Sequence, residues 1–207
     1  MSKLQIPSET ARQIQAAGFT RKGLWFFRTE GSLVQCVCFE HPGKTIYPVY
    51  CIIPLYMPFA ARHFTYGRRI SEISHYQNGE EIDVVCLREV LNSQIFPFFD
   101  TTRTPISLLH RVQIEQRIPH FFFCSPVRLS QLKMYTSLYL MDRELFREAA
   151  DETTQVLCKT QGFTDSVKCH ISAEIAMLRD KSRADDASLL GFFDEIIAKS
   201  RNCCSFY

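Results

Sequence analysis

Four residues near the end of a predicted sheet carry side chains that could act together on an anion. They combine an imidazole, a phenol and two guanidinium groups: His63, Tyr66, Arg68 and Arg69. Neighbouring guanidinium groups bind carboxylates and phosphates through paired, charge-assisted hydrogen bonds. We therefore predict that this strand end binds an acidic partner. The competing interpretation is an ordinary solvated strand end.

Cys36 and Cys38 form the most visible pair of sulfur atoms in the chain. Alternate residues of a strand share a face and lie about 7 Å apart, so both thiols could point into one core. A zinc site would need a second Cys or His pair at matching spacing, and neither His41 nor Cys51 completes one. The pattern favours buried, reduced thiols over a metal or redox site.

Two further groups of polar residues contain part of a metal-binding pattern. His170 and Glu174 share one face of a predicted helix, but a zincin helix needs a second His and an intervening Glu. An acidic run on another predicted helix lacks the Glu-x-x-His motif of a di-metal bundle: Glu144, Glu148, Asp151 and Glu152. We interpret His170 and Glu174 as a surface or helix-stabilising pair. We interpret the acidic run as a solvated helix face, with a docking surface for a basic partner as the alternative. The sequence predicts no metal and no cofactor.

Composition argues against several classes of function. The chain of 207 residues has only 8 Gly and contains no Gly-rich phosphate-binding loop and no nucleophile elbow, which disfavours dinucleotide and P-loop functions. A formal charge of +2 is not the electrostatic footprint of a nucleic-acid-binding domain. Nucleic-acid binding remains an alternative that would use five arginines: Arg68, Arg69, Arg103, Arg111 and Arg117.

The elements that must position these residues begin with an antiparallel sheet. Short runs rich in β-branched and aromatic residues alternate with Gly and Pro turns. Strands are predicted over residues 24–27, 33–39, 47–53 and 63–66. They follow a helix that Ser8 caps and that runs through Ala17. The first half is therefore predicted to be a helix and a four-stranded antiparallel meander.

The second half has the periodicity of helices. A helix that begins at Asp83 is expected to stop at Pro97, and the last one is predicted over residues 188–200. The helices between them should start after residues with a capping side chain: Thr104, Ser125, Asp142 and Thr164.

Strands followed by helices indicate an α+β fold. Residues 1–82 are expected to form the N-terminal helix and the sheet. Residues 83–200 are expected to form a mostly helical half that packs on the sheet in one compact unit, and 201–207 a flexible tail.

The opening segment contains Gly18-Phe19 after the first helix and Arg21-Lys22 before the strand at residues 24–28. This order resembles an uncharacterised bacterial domain family, in which a helix, a Gly-Phe and a basic pair lead into an antiparallel sheet. The resemblance covers about residues 1–70. It implies a small α+β domain, of a kind related to immunity proteins of bacterial toxin systems, and it assigns no functional residues.

The leading functional hypothesis is a cytoplasmic, non-enzymatic module for protein–protein interaction, such as an immunity or accessory protein of a bacterial toxin system. It depends on the absence of a catalytic motif and on the 17 Phe and 8 Tyr, because aromatic residues and Arg are enriched at interface hot spots. A polar N-terminus and short apolar stretches favour the cytoplasm. The first alternative is an enzyme with a site at the sheet end that uses His63, Tyr66 and Arg68.

Overall fold

The computed structural model of the chain describes residues 6–40, 44–58, 66–71, 75–77, 80–115 and 125–204. The strands in this part are β1 (Thr20–Lys22), β2 (Trp25–Glu30), β3 (Leu33–Glu40), β4 (Thr45–Pro54), β5 (Tyr66–Arg69) and β6 (Tyr76–Gln77). The helices are α1 (Ser8–Ala16), α2 (Val84–Val90), α3 (Phe96–Thr101), α4 (Pro105–Glu115), α5 (Pro126–Tyr139), α6 (Arg143–Lys159), α7 (Asp165–Lys181) and α8 (Asp186–Cys204). An N-terminal helix, an antiparallel sheet of consecutive strands and a mostly helical C-terminal half are therefore confirmed, and the fold is α+β.

The contacts between Cα atoms divide the chain into two compact units. The first comprises Met1–Pro54 and Arg62–Phe123 and holds the sheet with α1–α4. The second comprises Leu55–Ala61 and Cys124–Phe206 and holds α5–α8. The sequence predicts one helical half from residue 83, whereas the contacts group α2, α3 and α4 with the sheet. The packing of α5–α8 on the sheet stays a prediction.

The sheet runs in the order β1-β2-β3-β4-β5, with antiparallel neighbours throughout and β6 paired with β4. The first three strands of the predicted meander correspond to β2–β4. The fourth, predicted over residues 63–66, shares only Tyr66 with β5, and residues 63–65 lie outside the described part. The short strands β1 and β6 have no counterpart in the prediction. A two-residue turn sets the register of β2 and β3, because Glu30 pairs with Leu33 across it. Gly31 has a φ of 58° in this turn, a left-handed conformation that glycine adopts without strain.

One face of the sheet forms the core of the first unit. Phe26, Val37 and Tyr50 lie opposite one another on β2, β3 and β4, and none is more than 4% exposed. The centroid of the Tyr50 ring is 4.8 Å from that of Phe98 and 6.2 Å from that of Phe99, both on α3. The helix α3 therefore covers the centre of this face.

A polar network connects the same face to two helix ends. Gln35 is fully buried, donates from Nε2 to the Phe99 carbonyl oxygen (3.0 Å) and accepts from Arg28 Nε (2.8 Å). Arg28 also donates to the Ala17 carbonyl oxygen (2.7 Å), and its guanidinium carbon lies 4.8 Å from the centroid of the Phe19 ring. The network supplies hydrogen-bond donors to carbonyl groups at the C-terminal ends of α1 and α3. No N–H group of the same helix is available to these carbonyl groups.

The helix that begins after Asp83 does not end at Pro97, contrary to the prediction. Asp83 caps α2 by accepting from Val85 N (2.9 Å) and Cys86 N (3.0 Å). A π-helical segment, Leu91–Ile95, then leads directly into α3. Pro97 lies in the first turn of α3, where a missing N–H removes no α-helical hydrogen bond. The hydrogen-bonding pattern changes from π-helical to α-helical at this point, and the helix therefore tolerates the proline.

The other helix boundaries are partly as predicted. The four predicted caps are confirmed, because each side-chain oxygen accepts from the backbone N–H three residues later: Thr104, Ser125, Asp142 and Thr164. Ser8 is not a cap, since it is the first residue of α1 and Pro7 precedes it as the N-cap without a side-chain hydrogen bond. None of the described helices combines the length and the apolar character that crossing a membrane requires.

The last helix, α8, is longer than predicted at both ends. Asp185 caps its start by accepting from Ser188 N (2.8 Å), and this hydrogen bond lowers the pKa of Asp185. The helix continues to Cys204, so residues 201–204 of the predicted tail are helical. Residues 205–207 lie outside the described part.

The helices of the second unit pack on one another around aromatic residues. The helix α5 packs along α6, and α6 contacts α7. Tyr139 at the end of α5 stacks on Tyr56 (4.6 Å between ring centroids) and meets Phe193 of α8 edge to face (5.3 Å). The Tyr56 hydroxyl lies 2.9 Å from Thr136 Oγ1, and burial raises the pKa of Tyr56, so this phenol stays protonated in the core.

Gly67→Ala should destabilise the first unit strongly, because β4 and β5 approach each other closely at this position. A Cβ on residue 67 would lie 2.5 Å from Cys51 Cα and closer still to the Tyr50 carbonyl oxygen. We expect the free energy of unfolding to fall by on the order of 3 kcal/mol. Urea unfolding followed by the fluorescence of Trp25, the single Trp of the chain, measures this.

The matched control is Gly191→Ala on α8, where nothing lies within 4 Å of an added Cβ. Helix propensity predicts a gain of about 0.5–1 kcal/mol there, measured by circular dichroism. An unchanged urea midpoint for Gly67→Ala would show that β4 and β5 can move apart without lowering the free energy of unfolding, which would contradict the prediction.

Gln35→Met should destabilise the same unit by about 2 kcal/mol, because the apolar side chain leaves Arg28 Nε and the Phe99 carbonyl oxygen without this partner in a buried site. Unfolding in urea gives the value. Gln15→Met on the exposed side of α1 is the control and should stay within about 0.5 kcal/mol of the parent. Equal stability of the two variants would refute a structural role for the network.

Candidate functional site

The predicted site residues on β5 do not form one cluster. Tyr66 is 0% exposed and belongs to the core. Arg68 and Arg69 are half-buried neighbours on the strand, and successive strand residues point to opposite faces of a sheet. His63 lies outside the described residues. Partner binding through this set stays a prediction, but Tyr66 is not accessible to a partner.

The guanidinium group of Arg69 is already paired with residues of its own unit. Its Nε donates to Glu40 Oε2 (2.8 Å), and its terminal amino group forms an ion pair with the same carboxylate. The guanidinium carbon lies 5.3 Å from the centroid of the Tyr47 ring, a cation–π distance. The positive charge of Arg69 is therefore already offset by a neighbouring carboxylate.

The arginines of the nucleic-acid alternative are also partly occupied. Arg103 donates to Asp100 Oδ1 (2.6 Å), Arg111 is half-buried on α4, and Arg117 lies outside the described residues. Nucleic-acid binding through these residues stays a prediction.

The aromatic residues that motivated an interaction surface belong mainly to the interior. No described Phe, Tyr or Trp is exposed. The exposed large apolar residues are aliphatic and spread over several helices: Val85, Ile106, Ile114, Leu140, Val167 and Leu190. In the described part, the aromatic content therefore builds the core rather than a contact surface.

His170 and Glu174 do not act as a pair. His170 is exposed, while Glu174 accepts from Gln131 Nε2 and from the Tyr135 hydroxyl, both at 2.6 Å. These bonds from two buried residues of α5 hold α7 against α5. Across the residues that the structure describes, no group of three or more His, Cys, Asp and Glu side chains could hold a metal ion.

Three cysteines form a buried thiol cluster on β3 and β4. Cys36 pairs in register with Cys51, and Cys38 lies two residues along the strand on the same face. All three are at most 1% exposed. Burial raises the pKa of Cys36 well above its usual value, and hydrogen bonds with the Cys38 and Cys51 thiols raise it further. Burial also raises the pKa of Cys38, so Cys36 and Cys38 are neutral thiols near neutral pH.

An arginine-lined cleft between α6 and α7 is the candidate functional site. Its volume is about 430 Å³, and the buried Phe146 and the carboxylate of Asp151 contribute to its wall. Four arginines line it: Arg143, Arg147, Arg179 and Arg183. We call this set of residues the arginine cleft.

A helical hairpin brings the four arginines together. Residues near the start of α6 contact the end of α7, and residues further along α6 contact earlier residues of α7, since Arg143 bonds to Ser182 and Asp151 to Arg179. The two helices are therefore antiparallel. Arg143 and Arg147 are four residues apart on α6, a spacing that places both on one face of the helix. Arg179 lies on the last turn of α7, and Arg183 lies in the turn that follows it.

Arg143 is fixed by three hydrogen bonds. Its Nε donates to the Ser182 carbonyl oxygen (3.0 Å), and a terminal amino group donates to the Ala184 carbonyl oxygen (3.0 Å) and to Asp186 Oδ1 (2.6 Å). These acceptors lie at the end of α7 and the start of α8, where carbonyl groups need external donors. Arg143 is therefore a fixed charge with few donors left for a ligand.

Arg179 is also paired, while the remaining two arginines are more available. Arg179 donates to Asp151 Oδ1 at 2.6 Å. Arg183 has an ion pair with Asp180 at 3.6 Å between side chains that are 80% and 82% exposed, and such pairs are weak in water. Arg147 donates from Nε to the Arg143 carbonyl oxygen (3.3 Å), and its terminal amino groups have no partner among the described residues.

The electrostatics of the arginine cleft favour an anion. Four guanidinium groups against the single carboxylate of Asp151 give the lining a formal charge of +3. Asp180 and Asp186 offset part of this charge from outside the lining. The uncompensated donors are those of Arg147 and Arg183, and the guanidinium fork matches carboxylate and phosphate oxygens.

Sequence reasoning missed this site because residues of two helices and of the turn after α7 form it together. The available signal was the repeated spacing of four residues, Arg143 with Arg147 and Arg179 with Arg183, although Arg183 lies beyond the end of α7. The acidic run on α6 was noticed, and two of its members prove to be ion-paired: Asp151 with Arg179 and Glu152 with Lys133.

No family model, curated protein or solved structure matches the chain. The resemblance of its opening segment to a bacterial domain family therefore stays a prediction.

The thiols of the buried cluster should react with a small alkylating agent at least about tenfold more slowly than those of Cys158 and Cys169, which are exposed. The thiolate is the reactive form, and both burial and a raised pKa suppress it near neutral pH. Peptide mass spectrometry after timed alkylation measures each rate. In denaturant all five should react alike, and rapid native labelling of Cys36 would contradict a closed cluster.

Proposed function

We propose that the protein is a non-enzymatic binding module that recognises an acidic protein partner through the arginine cleft. The observation that carries this proposal is the convergence of four guanidinium groups on one cleft whose lining holds a single carboxylate, with Arg147 and Arg183 largely uncommitted. Arg is enriched at protein interfaces because its planar donor fork binds carboxylates bidentately.

The lining of the arginine cleft supports binding rather than catalysis. An arginine does not give up its proton near neutral pH and so cannot act as a general base. The Asp151 carboxylate accepts from Arg179, and the Ser182 hydroxyl donates to the Arg179 carbonyl oxygen (2.7 Å). Among the described residues, the Ser182 hydroxyl has no hydrogen bond to a base that would activate it as a nucleophile. The alternative of an enzyme at the sheet end is weakened by the burial of Tyr66.

The proposal includes a reducing compartment such as the cytoplasm. Six cysteines of the described part are free, and three of them are buried. Unpaired thiols in this number are typical of proteins that work where disulfides are reduced. A role as an immunity or accessory protein of a toxin system would make the partner a toxin component, and this part of the proposal depends on the resemblance of the opening segment alone.

A fluorescein-labelled peptide rich in Asp and Glu should bind the protein, and the double variant Arg147→Gln, Arg183→Gln should weaken binding by about tenfold or more, because it removes the two available guanidinium groups. Fluorescence anisotropy measures the dissociation constant. Added salt should also weaken binding, since the attraction is electrostatic and partly exposed to solvent.

The matched control is Arg201→Gln, which removes an exposed arginine of α8 outside the arginine cleft. It should leave the dissociation constant unchanged, and circular dichroism should show that all variants keep their helices. If Arg201→Gln weakened peptide binding as much as the cleft variant does, the effect would depend only on the net charge of the protein. That result would refute the proposed site.

A further inference from the structure

We infer that the arginine cleft selects a phosphorylated side chain on the protein partner over an Asp or Glu side chain. This inference rests on the proposed function and names the chemical group that the cleft recognises. Its basis is that two arginines with uncommitted donors line the same cleft.

The uncommitted donors belong to two different elements. Arg147 lies on α6 and has both terminal amino groups available, whereas Arg183 follows the end of α7 and has only a long, exposed ion pair. One guanidinium group binds both oxygens of a carboxylate through a bidentate pair. A phosphate monoester has a third acceptor oxygen and roughly twice the charge, so two neighbouring arginines attract it more strongly than they attract a carboxylate.

The other two arginines do not compete for the ligand's oxygens. Arg143 and Arg179 are held by the carboxylates of Asp186 and Asp151, which offset their charges, and Arg143 is also held by two backbone carbonyl groups. The attraction for a doubly charged anion therefore comes from Arg147 and Arg183, and their fixed neighbours need no reorganisation when a ligand binds. Phosphate groups ordered by several arginines are a recurring mode of recognition.

The dimensions of the cleft also fit one phosphorylated side chain. Its volume of about 430 Å³ is in the range of sites that enclose a small ligand. A nucleic-acid backbone instead needs a basic stripe along several phosphates, and the chain has a formal charge of only +2.

The test uses three labelled peptides of one acidic sequence that carry phosphoserine, Glu or Ser at the central position. The full-length protein should bind the phosphoserine peptide about tenfold more tightly than the Glu peptide, and the Ser peptide least tightly. Arg147→Gln and Arg183→Gln should each remove most of the difference between the phosphoserine and Glu peptides. Arg201→Gln should preserve it.

The outcomes separate the inference from the proposed function. Equal binding of the phosphoserine and Glu peptides, with both weakened by Arg147→Gln, would overturn the inference and leave the proposed function in place. No binding of any peptide would overturn both. Tighter binding of a single-stranded oligonucleotide, lost in the same two arginine variants, would overturn the inference in favour of nucleic-acid phosphates.

Discussion

Carbonyl groups at the ends of helices need hydrogen-bond donors that the helix itself cannot supply, and much of this structure depends on meeting that need. In the first unit, Arg28 donates to Ala17 after α1, and Gln35 donates to Phe99 near the end of α3. The two donors are joined to each other by a hydrogen bond. One polar network on the sheet therefore fixes the ends of two helices that cover it.

In the second unit, the same need determines the arginine cleft. Arg143 is committed to the carbonyl groups after α7, and Arg179 is committed to Asp151 across the hairpin. When α6 packs against α7, two guanidinium groups are therefore engaged in intramolecular hydrogen bonds. The guanidinium groups of Arg147 and Arg183 lie in the same cleft and stay available. A binding site of this kind arises from an excess of donors over the acceptors that the fold requires.

Features that depend on a few neighbouring residues were predictable. Side-chain caps such as Asp142 are set by residues three positions apart, and runs of β-branched and aromatic residues between turn residues predicted β2 to β4. Pro97 was misjudged because its tolerance depends on a π-helical segment that begins six residues earlier. The helical residues 201–204 carry no apolar periodicity, and continuity with α8 extends the helix through them.

By itself, the sequence determined an α+β chain with capped helices, thiols that point into a sheet core, and no familiar catalytic motif. The tertiary structure decided which charges remain available, because ion pairs such as Arg69 with Glu40 and Arg179 with Asp151 join residues 29 and 28 positions apart. It also buried Tyr66 in the core. The physical reason is that a donor becomes occupied or available only through neighbours that folding brings from distant positions, and local patterns do not contain those neighbours.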